Sequence, residues 1–115
     1  MVDEDAPRKG EIYWVDFDPA RGSEQAGHRP AVIISTSSWN RLMNVVTVAA
    51  LTTRVKHGKM AVYLPVGKPL DKEGEILPFQ IMSIDKRRLE DYAGCLSDEQ
   101  VAELDAKLKL CWGLT

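Results

Sequence analysis

The chain has 115 residues, 44% of them hydrophobic and 28% charged, with two cysteines and a net charge of −2. That is enough material for one domain with a single core. It excludes a disulfide scaffold, and no apolar run nears the roughly 18 residues that a membrane span requires. The charge is unevenly spread: residues 1–9 sum to −1, residues 10–88 to +3 and residues 89–115 to −4. A mildly basic middle between acidic ends would suit an anionic partner, but on charge alone an ordinary solvated surface is the better reading. The opening MVDEDAPRKG is acidic and polar, the reverse of a secretory signal, so a cytoplasmic protein with reduced thiols is expected.

In chain order, Glu11–Phe17 (EIYWVDF) is rich in aromatic and β-branched residues and reads as a strand, stopped by Asp18-Pro19. Residues 18–30 read as a long polar loop. Ala31–Ser35 (AVIIS) fits a short buried strand. Ser37–Leu42 has the composition of a helical turn with a serine as its cap. Asn44–Thr52 (NVVTVAALT) is another strand, residues 53–59 a basic loop, and Met60–Leu64 a strand closed by Pro65. Residues 67–75 form a turn-rich excursion. Ile76–Ile84 holds one or two short strands, with Pro78 confined to an edge or an end. Asp85–Leu89 reads as one helical turn. Ser97 and Gln100 make a capping box, Leu96 and Val101 a hydrophobic staple. Val101, Leu104, Leu108 and Cys111 then recur at helical spacing. Many short strands followed by one helix predict a small, curved antiparallel sheet or barrel with a helix packed on it, a single domain over residues 1–115.

His28, His57, Cys95 and Cys111 lack the spacing of metal ligands. There is no phosphate-binding Walker loop and no dinucleotide fingerprint, so neither metal nor cofactor is expected. The chemically dense stretch is Gly22–Pro30 (GSEQAGHRP), set directly against an apolar strand. Arg21 and Arg29 offer planar donor forks suited to phosphate. Gly22 and Gly27 let backbone amides approach an anion. Glu24 can accept a proton, and Ser23, Gln25 and Thr52 are neutral hydrogen-bond partners. Arg54, Lys56 and Lys59 add charge on a neighbouring loop. Pro30 restricts Arg29 to extended backbone, which would fix a cation at the end of a rigid strand. By composition alone the signal is weak, since a polar, glycine-rich stretch is more often simply a connection.

Residues 22–35 (GSEQAGHRPAVIIS), preceded by WVDFDPARG and followed by VAALTTR (48–54) and QIMSIDKRRL (80–89), closely resemble the MazF/PemK family of toxin endoribonucleases. The resemblance spans essentially the whole chain. It implies a mainly β fold with short helices, an SH3-like antiparallel β-barrel with a C-terminal helix, working as a homodimer. It implies metal-independent cleavage of single-stranded RNA, leaving a 2′,3′-cyclic phosphate and a 5′-hydroxyl. It also implies inhibition by a cognate MazE-like antitoxin. Carried over motif by motif, Arg29, Thr52 and Glu24 become the catalytic set, and Ser23, Gln25, His28, Arg54, Lys56 and Gln80 the RNA-binding set. Arg29 would clamp phosphoryl charge and Glu24 would be the base. Trp14, Phe17 and Trp39 are candidate base-stacking platforms or core residues. Two other readings stay open on fold alone: a toxin of the same architecture that poisons DNA gyrase by binding, and an RNA-binding module without activity.

Overall fold

A computed structural model describes residues 2–17, 27–52, 64–66 and 74–114. The elements are β1 (Glu11–Asp16), β2 (His28–Ile33), α1 (Ser37–Leu42), β3 (Val45–Thr52), β4 (Leu64–Val66), β5 (Gly74–Asp85), β6 (Leu89–Cys95) and α2 (Asp98–Trp112). A 3-10 turn at Lys86–Arg88 joins β5 to β6. The six strands form one sheet in the order β4-β5-β3-β2-β1-β6, and each neighbouring pair is antiparallel. The fold is therefore mainly β with a C-terminal helix, as expected. Among the described residues the ladder is open, with β4 and β6 at its edges.

The sheet buries both faces. On one, Ile12, Val32, Ala49, Leu51 and Ile76 pack with Leu96 and with Leu104 of α2. On the other, Val15, Phe17, Ala31, Ile33, Val46, Val48 and Ile84 form a second cluster. This explains the unbroken apolar run of β3: a strand covered on both sides has no solvent face to alternate with. Leu96 and Val101 both meet the first cluster, as a hydrophobic staple should. Ser97 caps α2: its hydroxyl accepts from Gln100 N at 3.1 Å, and Gln100 Oε1 accepts from Ser97 N at 2.8 Å. No helix among the described residues is long and apolar enough to cross a membrane.

Several boundaries differ from the sequence reading. Strand β2 begins at His28, three residues before the expected start at Ala31. Pairing with β1 draws His28, Arg29 and Pro30 into the sheet, opposite Asp16, Val15 and Trp14. Pro30 is tolerated because it lies outside the ladder to β3, which starts at Ala31. Pro65 is in β4 rather than after it, which an edge strand allows. Residues 76–84 are part of one 12-residue strand, bent where the register jumps from Ala49↔Ile81 to Ala50↔Leu77. That bulge carries Pro78 without breaking the strand. The cap of α1 is Thr36 rather than the expected serine, and it makes no side-chain capping bond; Asn40 instead ties the turn down by donating to Pro7 O (2.9 Å) and Ser35 O (3.1 Å). Strand β6 has no counterpart in the sequence reading. Its Glu90, Asp91 and Tyr92 are consecutive exposed residues at a sheet edge, which hides the usual alternation. The basic loop at 53–59 and most of the Met60–Leu64 strand lie outside the described residues.

Candidate active site

Strand alternation decides which side chains can work together. Residues opposite one another in an antiparallel ladder share a face, and so do residues two apart on a strand. Ala31 lies opposite Ala50, and Ala50 opposite Leu77. Two residues from these along their strands are Arg29, Thr52 and Glu75, and Thr52 is itself paired with Glu75. Carrying the β2–β3 register on by two residues brings Arg29 level with Thr52. The three side chains thus stand in a row across β2, β3 and β5, on one face and at one end of the sheet. Arg29 and Thr52 are partly buried, and Glu75 is wholly buried.

The neighbouring backbone holds this row in place. Val15 of β1 pairs with Arg29. Phe17, only 2% exposed, anchors the end of β1 in the core, and its N–H donates to Gly27 O at 2.9 Å. That bond closes the base of the connection at 18–26, which leaves β1 and returns as β2. Gly27 has φ of +71°, a left-handed backbone for which glycine carries no Cβ penalty. Tyr13 lies two residues from Val15 on the same strand. Burial, aided by the Glu11 carboxylate that accepts its hydroxyl at 3.2 Å, pushes it up to about 12, so it stays protonated near neutral pH and is poorly placed for proton transfer.

His28 follows the opposite parity and projects to the other side of the sheet from Arg29. There it stacks on Trp14, with ring centroids 5.2 Å apart and planes at 28°, and its Nε2 meets Glu90 of β6. Gln80 is exposed on the β5 bulge beside the exposed Phe79. The same bulge is pinned by α2, because Trp112 Nε1 donates to Pro78 O at 2.8 Å. Of the three candidate platforms, Phe17 is core, Trp14 is engaged with His28, and Trp39 is half exposed on α1. Glu24, Ser23, Gln25, Arg54 and Lys56 lie outside the described residues.

The Lys86–Arg88 cluster belongs elsewhere. Asp85 pairs with Val45, at the far end of β3 from Thr52, about 23 Å away at strand rise. Arg87 donates through Nε and Nη2 to the two Asp85 oxygens, each at 3.0 Å, and these bonds hold the Asp85 carboxyl below the usual carboxylate range. Lys86 meets Asp3 at 3.3 Å. Lys86 and Arg87 thus hold the turn through matched charges. Among the described residues, no group of three or more His, Cys, Asp or Glu is placed to hold a metal ion.

A profile of PemK-like, MazF-like toxins of type II toxin–antitoxin systems matches residues 8–111. The chain belongs to that family. MazF from Deinococcus radiodurans superposes with a TM-score of 0.82 at 27% identity, over 94% of this chain and 97% of that one. A MazE–MazF complex from the same organism gives 0.78 at 25% identity, over 96% and 99%. An endoribonuclease solved with its cognate antitoxin from a mycobacterial species shares the fold at 0.81 and 24% identity, over 96% and 98%. Membership in the MazF-like family covers the whole ladder, so the row at Arg29, Thr52 and Glu75 lies inside the matched domain. Glu75 escaped the sequence reading because GKPLDKEGE reads as a turn. Its only signal there was a lone acid just before the apolar Ile76-Leu77.

Proposed function

We propose that the protein is a metal-independent endoribonuclease toxin that cuts single-stranded RNA at short sequence motifs. It works in the cytoplasm as a homodimer and is restrained by a cognate MazE-like antitoxin. What supports this reading is that Arg29 and Thr52, by strand alternation from the Ala31–Ala50 pair, fall on one sheet face in a chain of the MazF-like family. The Deinococcus MazE–MazF complex supports the antitoxin as partner.

RNA brings its own nucleophile. The 2′-hydroxyl attacks the adjacent phosphorus, the O2′–P bond forms, and the P–O5′ bond breaks. The 2′ proton goes to a base and the leaving 5′-oxygen takes up a proton, giving a 2′,3′-cyclic phosphate and a 5′-hydroxyl. The protein has to align the attack, stabilise charge on the phosphoryl oxygens and manage two protons. Arg29 is the charge clamp, since a guanidinium stays protonated and presents a planar fork to phosphate. Thr52, one strand away, donates a hydrogen bond to a phosphoryl oxygen or to the leaving oxygen. Glu24 is the base. Ser23, Gln25, Arg54, Lys56 and Gln80 line the path of the strand, with the cations making salt-sensitive phosphate contacts. His28, turned to the other face and held by Trp14 and Glu90, binds at the rim and takes no part in proton transfer. His28→Ala is accordingly expected to keep the cleavage rate within about threefold of wild type, the size of effect left when a general acid–base contribution of 10²–10⁴ is absent.

Incubation of the purified protein with a long defined RNA in EDTA tests the proposal. Fragments ending in cyclic phosphate, at recurrent short motifs, are the expected result. Intact RNA together with inhibition of gyrase supercoiling would favour the binding-toxin reading. The catalytic row, which a pure binder has no use for, weighs against that alternative.

A further inference from the structure

Among the described residues, Asn40 and Glu75 are the polar or charged side chains with no exposure. Asn40 is accounted for by its bonds to Pro7 and Ser35, which tie the N-terminal segment to α1. Glu75 lies in the catalytic row. It pairs with Thr52 on one side and with Pro65 of β4 on the other, and its Oε2 is sealed from solvent. Ile76, the next residue, packs in the apolar core on the opposite face. Burying a carboxyl group is costly to a fold unless its polar atoms are satisfied. The chain nevertheless places an ionisable carboxyl group at this point, one strand from Thr52 and two from Arg29.

We propose that Glu75 is a positioning residue for RNA cleavage: its buried carboxyl group, fixed beside Thr52 in the ladder, holds the Arg29 guanidinium and the Thr52 hydroxyl in register for the phosphate. Ladder neighbours on both sides immobilise its backbone, as a positioning group requires. Residues opposite one another on neighbouring strands are about 5 Å apart, so Glu75 is directly beside Thr52. The carboxyl group draws the guanidinium along the sheet face towards Thr52. Glu75 touches no reacting atom and acts through these two residues. The inference rests on their assignment as the catalytic pair.

The test uses full-length Glu75→Gln and, as a second replacement of similar volume, Glu75→Met. Single-turnover cleavage, affinity for a 2′-O-methyl RNA that cannot be cut, and cooperative unfolding are measured for each. The expected result is a folded protein that binds the analogue within about threefold of wild type but cleaves roughly 10- to 100-fold more slowly, the scale of a misplaced catalytic group. A purely structural role would lower cleavage and binding together, in step with the folded fraction. Either folded variant cleaving within about twofold of wild type overturns the inference, as does a loss matched by lost binding. Arg29→Ala and Thr52→Ala are run alongside. Wild-type cleavage by both would sink the catalytic assignment itself, whereas their failure beside an active Glu75→Gln removes only the role of Glu75.

Discussion

Replacing Arg29 by alanine is expected to slow cleavage of single-stranded RNA roughly 10²–10³-fold, the usual cost of removing one preorganised donor from developing transition-state charge. The side chain is partly buried on β2, its backbone is paired with Val15, and Pro30 follows it. A cation fixed in this way need not reorganise when the phosphorus becomes pentacoordinate. Its contribution should therefore appear in the rate constant under single turnover more than in RNA affinity. Arg29→Lys is expected to recover little, because an ammonium is a point charge and cannot reproduce two parallel donors. Quantifying fragments from a labelled oligonucleotide, with affinity measured on the 2′-O-methyl analogue, checks both expectations. Near-normal rates for Arg29→Lys would show that charge alone suffices and that the fork geometry is irrelevant.

The largest effect on stability should come from Leu104→Ala, at about 2–5 kcal/mol. Leu104 is fully buried and is the point at which α2 enters the core formed by Ile12, Val32, Ala49, Leu51 and Ile76. Truncation leaves a cavity between the helix and a sheet that pairing holds rigid, so little of the space can collapse. Against a typical domain stability of about 5–15 kcal/mol, this is a large share. It should lower the urea midpoint by about 1–3 M at fixed protein concentration. Leu110 is the control: it lies on the same helix but is 59% exposed, and its replacement by alanine should cost under about 0.5 kcal/mol. Equal losses at the two positions would mean that α2 is not seated through Leu104.

The Arg29 and Leu104 cases differ in how far they were legible in the sequence. Leu104 was readable because α2 carries its own signals, a capping box at Ser97 and Gln100 followed by apolar residues at helical spacing. Arg29 was readable as a chemical group, and through the GHRP motif as a candidate site residue. Its membership of a strand was not, since GSEQAGHRP has the composition of a loop and the pairing partner that extends β2 lies in β1. Strand β6 was missed for the same reason: LEDYAGC becomes a strand through Glu11–Val15 across the ladder.

What the sequence determined by itself is therefore local or compositional: a mainly β chain with a capped helix after its strands, and the residue types a phosphodiester site requires. Only the tertiary structure decided that Arg29, Thr52 and Glu75 share one sheet face while His28, next to Arg29 in the chain, turns away. Side-chain direction in a strand alternates with every residue, and register is set by pairing between distant segments. A carboxylate in an apparent turn thus became the buried neighbour of Thr52, a fact held in the ladder between β3 and β5 and in no single stretch of the chain.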